Sequence, residues 1–342
     1  MIDVLPEYQG SSQGWPWEAP PNGSTRPGQD THDSSLLPTI TVVTPSYNQG
    51  EFLEQTLRSV LLQDYPNLEY IVVDGDSSDQ SGEILDRYAE HLTHLIREPD
   101  HGQSDAICKG IELATGQWFN WINSDDCLLP GTLWELARQI RAEIDLYTFT
   151  VSVEGAGLEP YPMHNRNLSA RAMLRADRYS FSQPGMWFRL DRLLACGGID
   201  RSLNYGFDWD LIVRYLNENP RVHYSTSVGA MFRLHDQSKT VVESSKDDVS
   251  ESQFRQESQM IRDKLESCLP ADLAAASRLG RRREPWNEHL IRILDDFDRS
   301  PLLASLESLR EAAKDPSARF SWRTCGSVAR LLSRYVRPSR RG

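Results

Sequence analysis

Residues 39–79 read TITVVTPSYNQGEFLEQTLRSVLLQDYPNLEYIVVDGDSSD, and this stretch decides the architecture. TITVVTP is β-branched and bounded by proline, so it reads as a buried strand. In EFLEQTLRSVLLQ, Phe52, Leu53, Leu57, Val60 and Leu61 share one helical stripe. EYIVVDG is a second apolar strand. Working outward, SGEILDRYAEHL reads as a second helix and HLIREPD as a short third strand. QSDAICKGIELATG is a third helix expected to end at Gly116. QWFNWINSDD is a fourth strand that opens into a polar turn, and Pro130 is expected at the first position of the helix PGTLWELARQI. Such alternation implies an α/β fold, a parallel sheet with helices on both faces. Ligands of such sheets bind at the carboxyl ends of the strands.

Beyond residue 145 the pattern turns mixed. DLYTFTVSV, GMWFRL and HYSTSVGAMFRLH read as strands, LDRLLACGG and FDWDLIVRYLNENP as helices, and the chain from Ser244 is polar and helical. Residues 1–37, rich in Pro, Gly and Ser, read as a flexible or loosely docked arm. Its Trp15 and Trp17 either pin the arm to the body or reach a partner. The expected division is therefore an arm at 1–37, a domain at 38–240 with halves at 38–130 and 131–240, and a helical extension at 241–342.

Composition narrows the class. The 342 residues carry 37 Lys+Arg against 49 Asp+Glu, a net charge of −12, which disfavours nucleic acid as a partner. Mean hydropathy is −0.52, and no apolar run has the length of a membrane span. The start, MIDVLPEYQGSSQGW, lacks the basic and apolar regions of a secretory leader. Cys108, Cys127, Cys196, Cys268 and Cys325 lie far apart, without metal-site spacing, which fits reduced cysteines in a cytoplasmic protein.

The strand ends carry the chemistry. No GxGxxG or GxxxxGK[ST] follows the first strand; Thr44, Pro45, Ser46, Tyr47 and Asn48 stand there instead. Asp74 ends an apolar strand, and its carboxylate needs donors, a role the imide N–H of a base would fill. Asp79 suits a helix cap. The turn Asn123-Ser124-Asp125-Asp126 concentrates negative charge after a buried strand. Helix capping explains at most one of those carboxylates, and two hard oxygen ligands suit Mg2+ or Mn2+ bridging to a diphosphate.

Taken in order, these segments resemble the family 2 glycosyltransferases, which have the GT-A fold: a Rossmann-like mixed sheet flanked by helices. The matching text is residues 39–79, then EPDHGQSDAICKG, WINSDDCLLPGTL, QPGMWFRLDRLLACGGIDRSLNYGFDWDLIVRYL and FRLHDQSKT. The resemblance implies transfer of a sugar from a nucleotide donor, usually UDP- or GDP-linked, to an acceptor hydroxyl with inversion. By the same resemblance Thr44, Pro45, Tyr47, Asn48 and Ser124 line the nucleotide-sugar pocket and Asp74 meets the base. Asn123 and Asp125 fall on the Asp-x-Asp positions, with Asp125 and Asp126 at the metal, and His235 at the metal or diphosphate. Arg233 and Lys239 either neutralise phosphate or are surface charges. Asp208 falls on the acidic motif that activates the acceptor hydroxyl. Two residues depart from the pattern: Asn123 replaces an Asp, and Cys108 an Asn.

The reaction needs a cation at the leaving diphosphate and a carboxylate opposite it. Trp187, Tyr205 and Trp209 either stack on sugar faces or belong to the core. Two rivals remain: a nucleotide-sugar-binding module without catalysis, and a sugar nucleotidyltransferase, which would need a basic Gly-rich loop where TPSYNQG has none. From Ser317 to Gly342 there are seven Arg and no acidic residue. This tail either contacts an anionic membrane surface, where a lipid-linked acceptor would be met, or is solvated, or packs on the acidic body.

Overall fold

The computed structural model describes residues 5–8, 10–18, 36–155, 157–175, 181–244 and 253–281. The basic tail, Cys325 and the membrane contact expected of that tail lie outside the described residues.

The first half alternates as the sequence implies. β1 (Ile40–Ser46) is buried along its whole length and sits between two parallel partners, β2 (Leu68–Asp74) and β4 (Trp118–Trp121). β3 (His94–Arg97) adds to the far side of β2. The helices α1 (Gly50–Leu61), α2 (Ser81–Tyr88) and α3 (Gln103–Leu113) are the crossovers. Leu53, Leu57 and Val60 of α1 pack with Ile40 and Val42 in the main apolar core. The chain runs outward through β2 and β3, then returns to the other side of β1 as β4. That reversal opens a crevice at the carboxyl ends of β1 and β4.

The second half makes the sheet mixed. Its elements are β5 (Cys127–Leu128), α4 (Thr132–Gln139), β6 (Leu146–Gly155), β7 (Leu158–Met163), α5 (Ala170–Arg175), β8 (Met186–Arg189), α6 (Leu190–Ala195), α7 (Phe207–Glu218), β9 (Val222–Leu234), α8 (Lys239–Ser244) and α9 (Gln253–Cys268). The strand order is β3-β2-β1-β4-β8-β6-β9-β5, with β7 pairing β6. β8 runs antiparallel to β4 and β6, β9 parallel to β6, and β5 antiparallel to β9.

Two helix ends differ from expectation. α3 stops at Leu113, and Gly116 serves packing instead: a Cβ there would stand 2.3 Å from Thr41 Oγ1. Its N–H donates to that Oγ1 and to the buried Glu69 carboxylate, at 3.1 and 3.3 Å. α4 begins at Thr132 rather than Pro130, with the left-handed Gly131 before it. β5 and β7 carry no sequence signal of their own, β5 being two residues long.

The described part of the arm is docked. Trp15 Nε1 donates to Leu128 O at 2.8 Å, and Trp17 stacks on Tyr8 with ring centroids 3.6 Å apart. Arg58, 2% exposed on α1, donates to Pro6 O, Pro16 O and Tyr88 Oη and lies over the Trp17 ring. The four described cysteines are free.

The chain divides into two compact units, Met1–Ala170 with Ser180–Asp263, and Arg171–Tyr179 with Lys264–Gly342. The first unit therefore extends past residue 240 into α9. Within the second, Arg171 pairs with Asp272, and Arg281 with Glu266 at 3.2 Å. Among the described residues, no helix is long and apolar enough to cross a membrane.

Candidate active site

Strand register gathers the site. Ser46 lies opposite Asp74, and Asp74 opposite Arg97, so three strands end level. Val43 pairs with Trp121, which brings the Asn123–Asp126 turn beside Pro45 and the residues after it.

The loops after β1 and β2 are knitted together. Asn48, left-handed at φ 51, donates its N–H to Ser77 Oγ and accepts from Ser78 N–H, both at 2.8 Å. Ser77 satisfies the buried Asp74, its N–H donating to Oδ2 at 2.9 Å and its hydroxyl to Oδ1 at 2.7 Å. The Asp74 donors thus come from within the chain, and a carboxylate has lone pairs left for another. Asp79 ties two helices: it accepts from Gly50 N–H at the start of α1 and from Ser81 N–H at the start of α2. Gly75 lets this loop approach its neighbours, since a Cβ there would meet Asp100 Oδ2 at 2.6 Å and Tyr47 Cδ2 at 3.2 Å. Tyr47 is 61% exposed. Ser46 Oγ is buried and makes no hydrogen bond among the described residues.

The turn after β4 alternates. Asn123 and Asp125 are partly exposed, whereas Ser124 and Asp126 are buried, and the turn is closed by the Asp126 N–H donating to Asn123 O at 3.0 Å. His235 Nε2 stands 3.0 Å from Asp125 Oδ2. The imidazole packs on Phe52, whose ring also carries the Arg233 guanidinium. Arg233 donates its N–H to Asp126 Oδ1 and its Nε–H to Asp125 O, both at 3.0 Å, and its Nη2–H to Gln55 Oε1. Asn123 Nδ2 donates to Asp126 Oδ2 at 3.1 Å and its Oδ1 accepts from Gln103 Nε2. Lys239 Nζ completes the chain by donating to Gln103 Oε1 at 3.1 Å. Burial and the neighbouring Asp125 charge push the Asp126 carboxyl well above the usual carboxylate range.

Lys239 links this cluster to the start of α7. Asp208, in its first turn, accepts from Trp209 N–H at 2.7 Å. Burial pushes its carboxyl up to about 7; the Trp209 N–H and the Lys239 charge oppose the rise and Glu257 adds to it. Lys239 also donates to Asn204 O at 3.2 Å.

Residues 41–198 match the family model "Glycosyl transferase family 2". Over that stretch the chain is similar to the family 2 glycosyl transferases. The putative teichuronic acid biosynthesis glycosyltransferase TuaG of Bacillus subtilis is 37% identical over 94 residues, 26% of this chain and 36% of that protein. Glycosyltransferase GlyG of Streptococcus pneumoniae is 34% identical over 105 residues, 30% of this chain and 35% of that one. The chain thus spans about a third of the length of the curated relatives it matches. Two solved structures share the GT-A fold. S. aureus TarS 1-349 in complex with UDP-GlcNAc superposes with a TM-score of 0.57 at 17% identity, covering 87% of this chain and 80% of that one. Mannosyltransferase PcManGT from Pyrobaculum calidifontis in complex with GDP-Man and Mn2+ gives 0.55 at 18% identity, covering 90% of each.

Several expected residues stand away from the open part of the site. Thr44 does not face the pocket: it is fully buried, with Oγ1 3.0 Å from Tyr70 Oη. Pro45 is buried in β1, and Ser124 is buried with its carbonyl accepting from Thr56 Oγ1. Asp126 is fully buried and its oxygens accept from Arg233 and Asn123, so Asp125 is the acid of the pair that reaches the surface. Trp187 is core, without an exposed face, and Trp209 is 2% exposed beneath the Arg262 guanidinium, so neither stacks on a sugar. Tyr205 remains half-buried near Lys239. Cys108 is buried and directs its thiol to Ile199 O. Gln55, Gln103 and Glu257 escaped the sequence reading, because long polar side chains on helices give no periodic signal.

Proposed function

We propose that this chain moves a sugar from a nucleotide-sugar donor, taken as UDP-linked, to an acceptor hydroxyl with inversion, in the assembly of a cell-surface polysaccharide or glycolipid. One observation carries this reading. Two carboxylates in different settings share the Lys239 charge: Asp125, partly exposed against His235, and Asp208, raised to about 7 at the start of α7. One is suited to a leaving group's cation and the other to an acceptor's proton.

Tyr47, Asn48 and Asp74 would hold the nucleotide, with the exposed Tyr47 ring placed to stack on a base. Asn123 would contact the sugar nucleotide beside Asp125. Asp125 and His235 fit a divalent cation, Mn2+ or Mg2+: adjacent ligands about 2.1 Å from an octahedral ion stand about 3 Å apart, and these atoms are 3.0 Å apart. Among the described residues there is no group of three protein ligands, so diphosphate and water would complete the shell. Such a cation supplies a Lewis acid for charge growing on the leaving diphosphate. Arg233 holds Asp125 through its carbonyl, and Lys239 sets a positive charge near both carboxylates. Asp208 would take the hydroxyl proton as the acceptor oxygen bonds to the anomeric carbon. The bond to the diphosphate breaks in the same step, its electron pair leaving with the nucleoside diphosphate. A single displacement inverts the anomeric centre. TarS with UDP-GlcNAc and PcManGT with GDP-Man and Mn2+ support such a donor and such a metal.

The test is release of UDP or GDP from a panel of nucleotide sugars, with and without Mn2+, and NMR of the product's anomeric centre. Metal-dependent release with inversion is expected. No release from any donor, or retention, would overturn the reading.

A further inference from the structure

α9 carries a carboxylate to the point where α7 begins. Glu257 Oε1 accepts from Asn204 N–H at 2.6 Å, and Oε2 from Tyr205 N–H at 2.5 Å and Gly206 N–H at 2.6 Å. The first N–H groups of a helix lack intrahelical partners, and negative charge is favoured there. The preceding residue, Gly206, has no side chain to cap with. A carboxylate from a helix 51 residues further on instead holds the three N–H groups that lead into that first turn. Two more contacts from α9 bracket the same place. Tyr205 Oη donates to Gln253 Oε1 at 3.1 Å, and the Arg262 guanidinium lies 5.0 Å over the Trp209 ring. Residues 204–206 and 209 are thus fastened by one helix, and Asp208 lies between them.

We propose that Glu257 is the positioning residue for Asp208: it fixes the backbone that aims the carboxylate at the crevice, and it sets the charge around it. The inference rests on Asp208 being the base. The charged groups acting on Asp208 are Lys239 from α8, which favours the ionised form, and Glu257 from α9, which opposes it. Lys239 in turn lies among Glu257, Asp208, Asp100 and Asp125. Glu257 thus keeps the base from ionising too easily while holding it in place. It also ties the part of α9 up to Asp263 to the catalytic unit, in keeping with where the compact unit ends.

The experiment measures kcat, donor KM and the pH profile for Glu257→Gln, Glu257→Asp and Glu257→Ala beside Asp208→Asn. Nucleoside diphosphate release from the best donor of a UDP- and GDP-sugar panel is the readout. Glu257→Gln keeps the shape and an accepting oxygen but loses the charge, so the acidic limb should move to lower pH with donor KM unchanged. Glu257→Ala should lose about 10–100-fold in kcat, the scale of a small misplacement of a catalytic group. Glu257→Asp should recover part of that loss, and hydrogen exchange at residues 204–206 should quicken most in Glu257→Ala, which loses every acceptor, and less in Glu257→Gln, which keeps one oxygen. An unmoved limb in a folded Glu257→Gln, with kcat of the Ala variant intact, would overturn the inference. So would losses in the Ala variant that follow thermal stability alone. Normal turnover by Asp208→Asn would instead remove the base reading itself, and this inference with it.

Discussion

His235 Nε2 lies 3.0 Å from Asp125 Oδ2, although 110 residues separate them in the chain. A two-residue strand brings them together. β5 pairs with β9 as Cys127 with Met231 and Leu128 with Ala230, so the residues before Cys127 run beside those after Met231. That register sets Arg233 opposite Asp125, where it reaches both acids through its backbone N–H and its guanidinium, and the His235 ring meets Asp125 from two residues further along. The pair is a product of sheet register, and its geometry makes it testable.

Asp125→Ala should abolish nucleoside diphosphate release without lowering the melting temperature, because Asp125 is partly exposed and its carbonyl link to Arg233 survives. His235→Ala removes one of the two ligands and should raise the Mn2+ needed for half-maximal rate by about 10–100-fold, a common cost of altering a metal site's surroundings. Titration of Mn2+ into chelator-treated protein checks both. Full activity in EDTA would refute the metal reading.

Asn123→Asp restores the acid that the family pattern has at this position, and it should harm the protein. The amide now donates to buried Asp126 and accepts from Gln103. A carboxylate would remove that donor and set a like charge beside a carboxyl that burial already pushes up. A loss of about 1–3 kcal/mol in folding stability is expected, the cost of leaving a buried acceptor unpaired. Chemical denaturation measures it, and an unchanged midpoint would show that the amide chain contributes nothing.

Much of this was legible in the sequence because it is local. The β-branched runs gave β1 and β2, the apolar stripe gave α1, and the strand-end rule located Asp74, Asn123 and Asp125. Which of two neighbouring acids faces outward was not legible. Asp125 and Asp126 look alike as letters, and a turn closed between Asn123 and Asp126 leaves one partly exposed and buries the other against Arg233. Trp187 and Trp209 show the same limit: an aromatic reads alike whether it packs or stacks. β5 and Glu257 depend on contacts far along the chain, which no local window contains.

The arm should matter for stability and not for chemistry. Arg58 is almost fully buried and donates to Pro6 O, Pro16 O and Tyr88 Oη. Arg58→Ala leaves these acceptors without their charged donor, which should cost about 2–4 kcal/mol given the strength of such bonds. Thermal melts check the loss. Donor KM should be unchanged, since none of these groups touches the crevice residues.

Asp208 gives the sharpest prediction, because function and stability should move in opposite directions. A base works only when ionised, so kcat/KM should rise with pH and level off above about 7, where burial has pushed the Asp208 carboxyl. Asp208→Asn keeps the shape, removes the proton acceptor and should lose about 10²–10⁴-fold in rate with donor affinity intact. The sign for stability follows from linkage. A carboxyl raised in the folded state holds a proton that the unfolded chain has already released. Its stabilising contribution is therefore complete below the ordinary carboxylate range and is lost as pH climbs through about 7. Asn carries no such penalty. Asp208→Asn should therefore melt at a higher temperature than the wild type at about pH 8, and the difference should vanish towards about pH 4. Melting curves across that range decide it: a variant less stable at high pH would mean that the Asp208 carboxylate is well solvated or paired, and is no raised base.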